Sequence, residues 1–146
     1  MKLINEVRLE FPSCSANEGF ARSAAACFAA QMDPTLEELG DIRTAVSEAV
    51  TNAIVHGYRD TIGTVYITAV IYADGTVQVK VRDRGCGIPD IEKAMEPLFT
   101  TGGEERAGLG FAVMQSFCDS VRVISKPQKG TTVTLTKRFE RKPNGE

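Results

Sequence analysis

Three short segments carry residue types at spacings from which a nucleotide site can be built. Residues 47–52 (Ser-Glu-Ala-Val-Thr-Asn) hold a carboxylate and a carboxamide four positions apart, which a helix brings to one face. Residues 83–88 (Asp-Arg-Gly-Cys-Gly-Ile) hold a carboxylate and two glycines that let backbone approach a flat ring. Residues 108–111 (Gly-Leu-Gly-Phe) predict a glycine-rich turn opening a helix, where N–H groups point at anions. A base, a metal ligand, an adenine reader and a phosphate cradle suffice for an enzyme that uses ATP.

The row formed by Glu48, Asn52 and His56 has two interpretations. Asp41 and Thr44 continue the same helical stripe, which favours an ordinary solvent-facing surface. Asparagine is nevertheless a poor residue in mid-helix, and its amide oxygen is a natural Mg²⁺ ligand where phosphates complete the shell. Glu48 is therefore the candidate base and Asn52 the candidate metal ligand, and we expect His56 to cap the helix or pack locally.

The two glycine-rich segments also have structural alternatives. Asp and Gly are standard at a turn that ends a strand, and Gly-x-Gly occurs at loop–helix junctions. In the functional interpretation Asp83 accepts a hydrogen bond from the adenine amino group, and Gly85 and Gly87 leave room for the ring. Glycines at 102, 103, 108 and 110 suit a hinged lid that closes over phosphates. The segment is not a Walker A loop, because no Gly-Lys-Ser/Thr follows it.

Length and composition are those of a globular domain with its own core. The chain has 146 residues, 42% hydrophobic and 25% charged, and we expect one ATP-binding domain over residues 1–140 with a frayed tail over 141–146. The formal net charge of −2 argues against direct nucleic-acid binding, which needs a basic surface. No apolar run approaches the roughly 18 residues of a membrane span, and the N-terminus lacks a secretory signal.

Cysteine usage indicates the compartment. None of the cysteines forms a CxxC pair, and with a single histidine their spacing does not predict a zinc site. Scattered single cysteines fit a reducing cytoplasm, which is the predicted location. We expect Cys27 and Cys118 to be small core residues and Cys86 to be more exposed. The cysteines are Cys14, Cys27, Cys86 and Cys118.

The first predicted helix follows an amphipathic strand over residues 3–11, which is a candidate sheet edge and dimer contact. Ser15 or Asn17 caps this helix, which runs to about Met32. The face of this helix predicted to point away from the core carries alanines beside one arginine. The alanines either serve only as helix formers or provide a flat surface for another protein. In the second case Arg22 is the candidate partner-binding residue. The stripe predicted to point inward is Phe20, Ala24, Cys27 and Phe28, and the opposite stripe is Arg22, Ala25, Ala26 and Ala29.

The second predicted helix begins at Asp33-Pro34, read as N-cap and first helical residue. It runs to about His56, and Gly57 ends it. Apolar residues at helical spacing give this helix a buried face. They are Leu39, Ile42, Val46, Ala49, Val50 and Ala53.

Two hairpins complete the predicted sheet. Residues 65–72 and 77–82 alternate and are joined by Asp74-Gly75. Residues 121–125 and 131–139 form the second pair, which turns through residues 127–130.

A long connection lies between the hairpins. Residues 83–107 are expected to be loop-rich, with at most a short helix near residues 91–95, before a helix over 109–117. The order of elements predicts an α/β two-layer sandwich, in which a mostly antiparallel mixed sheet carries its helices on one face.

Together the motifs resemble those of the ATPase and kinase superfamily that includes gyrase, the Hsp90 chaperone, histidine kinases and MutL. Residues 47–53 resemble its N-box, Asp83-x-Gly85-x-Gly87 its first glycine box and Gly108-x-Gly110 its second. Residues 97–101 (Pro-Leu-Phe-Thr-Thr) are similar to the lid start of bacterial anti-sigma serine kinases. The similarity spans residues 3–139 and is greatest to the sporulation anti-sigma-F type. Supporting stretches are residues 17–22, 30–35 and 56–58.

This resemblance implies a Bergerat-type ATP-binding fold with a left-handed crossover that binds Mg²⁺ with ATP or ADP. It also implies a homodimer that holds a sigma factor away from RNA polymerase and phosphorylates a serine of an anti-anti-sigma partner. Carried onto this sequence, Glu48 would be the catalytic base, Asn52 the metal ligand and Asp83 the adenine reader. The other residues lining the nucleotide would be Gly85, Gly87, Thr100, Thr101, Arg106, Gly108 and Gly110.

The lid departs from the family pattern. Residues 101–106 (Thr-Gly-Gly-Glu-Glu-Arg) form a shorter lid without the common Lys-Pro, so Arg106 is the nearby cation that would replace the lysine. Three alternatives stay open at this point. They are a general-stress anti-sigma-B-type kinase, the ATP domain of a sensor histidine kinase, and a nucleotide-gated module that clamps a sigma factor without transferring phosphate.

Overall fold

A five-stranded sheet with its helices packed on one face is the architecture of the chain. The computed structural model describes residues 2–88 and 104–140, the side chains of residues 104–109 excepted. The elements in chain order are β1 (Leu3–Pro12), α1 (Asn17–Ala29), a 3-10 turn (Ala30–Met32), α2 (Leu36–Asn52), a π-helical turn (Ala53–Gly57), β2 (Thr64–Tyr72), β3 (Thr76–Asp83), α3 (Glu104–Phe117), β4 (Ser120–Lys126) and β5 (Gly130–Arg138).

The strand order β1-β2-β3-β5-β4 confirms the predicted α/β sandwich. All pairings among the described strands are antiparallel, so this part of the sheet is not mixed as predicted. β1 lies at an edge, as predicted, and its role as a dimer contact stays a prediction. Alternation along each strand sends one set of side chains under the helices, among them the buried Ile67, Val79 and Leu135.

Helix α1 buries Phe28, as predicted, but most of its buried face is the alanine stripe that was predicted to point outward. Ala25 and Ala29 are buried against α2, whereas Phe20 is 59% exposed and Cys27 is also exposed. Small side chains let the axes of two helices approach closely, which a phenylalanine at the contact would prevent. The predicted alanine surface beside Arg22 is therefore wrong, and the prediction of Cys27 as a core residue is wrong with it.

Neither predicted cap begins α1. Ala16 precedes the helix without a side-chain cap, and Asn17 already lies in its first turn. The Asn17 amide donates instead to the carbonyl of Pro12 at 3.0 Å, which fixes the connection from β1. The helix ends near its predicted boundary, because the 3-10 turn continues it to Met32.

Helix α2 begins two residues later than predicted, because Thr35 and not Asp33 is its N-cap. The N–H of Glu38 donates to the Thr35 hydroxyl at 3.0 Å, and the N–H of Thr35 donates to the Glu38 carboxylate at 2.9 Å. This reciprocal pair satisfies two N–H groups at once, whereas Asp33 adopts a left-handed conformation with φ 53°. The buried face of the helix is as predicted, with Ile42, Val46 and Val50 fully enclosed.

One lysine ties the two site-bearing helices to the sheet. The Lys137 ammonium on β5 lies 3.2 Å from a carboxylate oxygen of Asp41 on α2 and donates to the carbonyl of Phe117 at the end of α3 at 3.0 Å. This contact joins the first half of α2 to the end of α3, whereas Gly110 in the first half of α3 meets Glu48 and Asn52 near the end of α2, so the two helices run antiparallel. Their other ends carry the candidate site.

Several predictions fall outside the described residues. These are the short helix near residues 91–95, the lid start at residues 97–101 and the tail over 141–146. Within the described ranges, no helix has the length and apolar character needed to cross a membrane.

Candidate nucleotide site

Glu48 and Asn52 lie on one face of α2 and meet Gly110 of α3. Both side chains are partly buried. A Cβ built on Gly110 would stand 3.2 Å from a carboxylate oxygen of Glu48 and 3.2 and 3.3 Å from the two amide atoms of Asn52. Any larger residue at position 110 would crowd both functional groups. The fold thus joins the predicted base, the predicted metal ligand and the second glycine box at one point.

The Asn52 amide has an unmet requirement. Its nitrogen is buried and has no hydrogen-bond partner among the described residues. A buried donor without an acceptor costs about 1–3 kcal/mol, so such groups usually await a ligand. Phosphate oxygens would satisfy the nitrogen, and the amide oxygen beside the Glu48 carboxylate is a hard donor of the kind Mg²⁺ takes. The residues present therefore fit a nucleotide with Mg²⁺.

The described residues do not form a metal site by themselves. Within the ranges that the structure describes, no group of three His, Cys, Asp or Glu side chains could bind an ion. Mg²⁺ commonly completes its shell with water and substrate phosphates. A metal at Asn52 would therefore depend on the nucleotide.

Asp83 ends β3 in a buried position, with only 6% of its surface exposed. One carboxylate oxygen accepts the N–H of Gly85 at 2.9 Å, and the backbone N–H of Thr131 also donates to the side chain. Burial still raises the pKa of Asp83, because these two bonds do not offset the loss of water. No cation among the described residues pairs with this buried carboxylate, so it can accept a hydrogen bond from a neutral donor such as an exocyclic amine.

Gly57 is a site residue that the sequence analysis treated only as a helix stop. A Cβ on Gly57 would lie 2.7 Å from the Asp83 carboxyl carbon, and its carbonyl contacts Gly85 so closely that no side chain fits there. The N–H of Cys86 donates to that same carbonyl at 3.0 Å. The π-helical turn after α2 and the first glycine box therefore pack backbone to backbone. The signal in the sequence was a glycine shortly after the N-box.

Tyr58 is a second residue whose role the sequence analysis missed. Its hydroxyl donates to the carbonyl of Thr64 at 2.6 Å and accepts the N–H of Arg84 at 2.6 Å. Burial raises the pKa of Tyr58, so the phenol stays neutral and keeps its proton for the first bond. Tyr58 thereby links the end of the π-helical turn, the start of β2 and the first glycine box.

The remainder of the first glycine box is fixed by the β4–β5 turn. The N–H of Gln128 donates to the carbonyl of Cys86 at 2.6 Å, and the N–H of Ile88 donates to the Ser125 hydroxyl at 2.8 Å. Gly87 adopts φ 75° with its α-carbon against the backbone of Lys126, a position that a side chain would not fit. Cys86 is only partly exposed, since its thiol donates to the carbonyl of His56 at 3.1 Å.

The second glycine box differs from its predicted form. Helix α3 begins at Glu104 and not at Leu109, so Gly108 and Gly110 lie inside the helix. Their N–H groups are therefore not at its open N-terminal turn, so the predicted opening of the helix at these glycines is wrong, and their contact with the nucleotide stays a prediction. Gly110 serves instead to make room for Glu48 and Asn52. Arg106 also lies within α3, and Thr100 and Thr101 lie outside the described residues.

Comparisons with known proteins find a family model and named relatives that match most of the chain. Residues 11–137 match the family model described as a histidine kinase-like ATPase domain. The chain is 56% identical over 138 residues to a protein named anti-sigma F factor from Thermoanaerobacter sp. (strain X514), covering 94% of this chain and 96% of that protein. It is 51% identical over 139 residues to the anti-sigma F factor of Bacillus subtilis (strain 168), covering 94% of each chain.

Solved structures share the fold at lower identity. The structure of the RsbU and RsbW domains of Rv1364c from Mycobacterium tuberculosis superposes with a TM-score of 0.69 at 23% identity, covering 93% of this chain and 32% of that chain. The histidine kinase domain of the blue-light activated kinase EL346 from Erythrobacter litoralis has a TM-score of 0.54 at 20% identity, covering 85% of this chain and 60% of that chain. These likenesses establish the architecture.

Proposed function

This chain belongs to the histidine kinase-like ATPase family and, within it, to the anti-sigma F factors, and we propose that it is an ATP-dependent protein serine kinase that also sequesters a sigma factor. The proposed substrate is a serine of an anti-anti-sigma protein, and the proposed sigma factor is of the sporulation sigma-F type. The chain would act as a cytoplasmic homodimer.

The observation that carries this proposal is the meeting of Gly110 with Glu48 and Asn52. A carboxylate and a buried, unpartnered amide nitrogen stand beside a helix whose backbone leaves them room. A purely structural contact would be expected to satisfy that nitrogen with another protein group. A site for phosphates explains why it has no partner in the part of the chain that the structure describes.

Glu48 would act on the hydroxyl of the incoming serine. In in-line phosphoryl transfer the nucleophile must lose its proton as the bond to phosphorus forms, and a carboxylate within hydrogen-bond reach can accept it. Asn52 would hold Mg²⁺ through its amide oxygen and donate from its nitrogen to a phosphate oxygen. When bound, Mg²⁺ supplies positive charge that offsets the charge of the phosphate chain. The partner brings the nucleophile, so the site needs no serine of its own.

The nucleotide would lie between the two glycine boxes. Asp83 would accept the adenine amino group, while Gly85 and Gly87 would let the ring approach the backbone. The remaining proposed contacts to the nucleotide are Thr100, Thr101, Arg106, Gly108 and Gly110.

Arg22 is proposed to contact the protein partners. Its guanidinium pairs with Glu18 at 3.1 Å one turn earlier in α1, and its side chain is 40% exposed. An arginine held in this way can offer its remaining donors to a partner with little loss of side-chain entropy.

One experiment tests the proposal as a whole. The chain is incubated with Mg²⁺, ATP and the anti-anti-sigma protein, and phosphoserine on that protein is measured by mass spectrometry. Phosphoserine that depends on Glu48 supports the kinase. Tight binding of ATP and sigma factor without any phosphoserine would instead identify a nucleotide-gated binding module.

A further inference from the structure

The face of the sheet opposite the helices carries a second feature, which goes beyond the proposed function. We propose that it is a docking surface for an acidic segment of another protein. We call it the basic face. It consists of Lys80, Arg82, Arg84, Arg122 and Lys126.

Strand alternation directs these cations away from the helices. On β3, Val79 and Val81 are buried, whereas Lys80 and Arg82 between and beside them are exposed. On β4, Arg122 and Lys126 are exposed likewise. The cations are also neighbours across the sheet, because Lys80 of β3 and Arg122 of β4 both pair with Thr134 of β5. Neighbouring strands lie about 4.8 Å apart, so these two positions are separated by roughly 10 Å.

Charge on this side of the sheet is segregated by sign. Every charged side chain that β2, β3, β4 and β5 direct to this side is a cation, although the chain as a whole has a net charge of −2. The carboxylates of the same side, Glu6 and Glu10, are confined to the edge strand β1, where Glu6 pairs with Arg8 at 2.9 Å. Among the described residues, no carboxylate lies within ion-pair distance of the basic face.

An aromatic ring supports two of the cations. The guanidinium groups of Arg84 and Arg82 lie 5.0 and 5.8 Å from the ring centroid of Tyr66 on β2. Cation–π contacts of this kind restrict long side chains that would otherwise be free. The arginines therefore present their donors from fixed positions, which lowers the entropy lost when a carboxylate binds. Guanidinium forks match carboxylates in particular, since both oxygens can be bonded at once.

The position of the cations favours an acidic protein over two other occupants. β3 is the middle strand of the sheet, so a face-to-face pairing of two copies about a two-fold axis would bring Lys80 close to its own counterpart. Single-stranded nucleic acid binds sheets by stacking bases on uncovered aromatic rings, and here the arginines cover Tyr66.

The size of the basic face sets the strength of the interaction. Strand spacing and rise give it dimensions of roughly 20 by 25 Å, or about 500 Å², which is below the area of a standard interface on one partner. We therefore expect weak binding that falls steeply with added salt. Such an interaction suits a transient contact made in addition to the main complex.

The test uses a fluorescein-labelled poly-L-glutamate peptide and the full-length chain. Binding is followed by anisotropy at low and at physiological ionic strength for the wild type and for the double variant Lys80→Glu with Arg122→Glu. The matched control, Arg43→Glu with Arg59→Glu, changes net charge equally at two exposed cations elsewhere. We expect saturable binding that weakens roughly tenfold in the double variant and less than about twofold in the control. ADP affinity of each variant, measured by calorimetry, reports that the fold and the nucleotide site are intact.

Each alternative occupant has its own outcome. Equal binding of the peptide by wild type, double variant and control, or no saturable binding at low salt, overturns the proposal. Tighter binding of an oligo-dT of equal charge through the same residues would assign the face to nucleic acid. A wild-type dimer that the double variant converts to monomer in sedimentation would make it a self-interface, whereas a dimer that survives supports the proposal.

Discussion

The two halves of the candidate site are built in opposite ways. Around Asp83, successive backbone N–H groups have partners: Arg84 donates to Tyr58, Gly85 to Asp83 and Cys86 to Gly57. Around Glu48 and Asn52, polar groups have no partner among the described residues. The Asn52 amide nitrogen is buried without an acceptor, and Glu48 makes no hydrogen bond or ion pair with the described residues.

The difference separates recognition from chemistry. The Asp83 half is preorganised, so a base can bind there without further ordering of the backbone. The Glu48 half keeps its donor and acceptor capacity for groups that arrive with the nucleotide and the substrate. Substitutions in the Asp83 half should therefore lower nucleotide affinity, whereas substitutions in the Glu48 half should lower the rate of phosphoryl transfer.

Glu48→Gln should give the largest effect and should appear in the rate alone. The substitution keeps the shape of the side chain but removes the proton acceptor, which typically contributes on the order of 10²- to 10⁴-fold. Phosphoserine formation in single-turnover assays measures this loss, and ADP affinity should stay within about twofold. Glu37→Gln, an exposed acidic position in the first turn of α2, is the control. A normal rate in Glu48→Gln would remove Glu48 from the chemistry.

Asp83→Ala should instead appear in binding. Loss of one hydrogen bond to a charged group costs about 1.5–3 kcal/mol, or roughly 10- to 150-fold in affinity for ATP and ADP. Calorimetric titration measures it, with the exposed Asp60→Ala as control. Unchanged affinity would mean that the adenine lies elsewhere and that the two halves are not divided as described.

Gly85→Ala tests whether the recognition half is rigid. Its new Cβ would overlap the Gly57 carbonyl, and backbone must move to relieve the contact, which we expect to cost about 1–3 kcal/mol in stability. Gly40→Ala is the matched control, because the same change on α2 meets nothing within 4 Å and should stabilise the helix by about 0.5–1 kcal/mol. Urea midpoints measure both. Equal midpoints for the two variants would show that the backbone contact yields easily.

Arg22→Glu should leave both halves intact and weaken capture of protein partners. Loss of an interface arginine commonly costs about 1–2 kcal/mol, or roughly 5- to 30-fold in affinity. Affinities for the sigma factor, the anti-anti-sigma protein and ADP are measured on the same preparation. Unchanged affinity for both proteins would show that Arg22 does not contact either of them.

Asp83→Asn should give the smallest effect, a pH-dependent gain in stability of the nucleotide-free protein. Because burial raises the pKa of Asp83 in the fold, ionising this carboxyl costs stability. That cost is absent below the ordinary pKa of an aspartate and fully present above the raised pKa. Asparagine should therefore raise Tm near neutral pH and lose the advantage in acid. A variant less stable than the wild type at every pH would contradict this sign.

The sequence indicated the strands, the buried face of α2 and the shared helix face of Glu48 and Asn52, because each depends on local periodicity or on a motif. Alternation in β2 and β3, with Asp74-Gly75 between them, sufficed for the first hairpin. The predicted buried face of α1 was wrong because packing against another helix, and not the local sequence pattern, decides it. Periodicity alone cannot decide whether Phe20 or a row of alanines meets α2, since close packing of two helices selects the small side chains.

The site was predicted in part. Glu48 and Asn52 share one helix and Asp83 ends a strand, as the motifs suggested, while the roles of these residues stay predictions. Gly57 and Tyr58 act through contacts between segments that no spacing reveals. The start of α3 was misplaced because glycines were taken to mark a helix boundary. Gly110 is instead required inside the helix, where two side chains of α2 leave no room for a Cβ.

The contact of Lys137 with Asp41 and Phe117 gives the antiparallel pair α2 and α3 one fastened end. From Asp41 to Asn52 the helix extends about 16 Å at its standard rise, which sets the length of the lever between fastened end and site. A change of about 5° in the angle between the helices would therefore shift Asn52 relative to Gly110 by roughly 1.4 Å. Displacements of about 1 Å can cost a reaction on the order of 10²-fold. Small changes in the angle between α2 and α3, made far from any reacting atom, would therefore strongly affect how Asn52 and Gly110 are placed in the site.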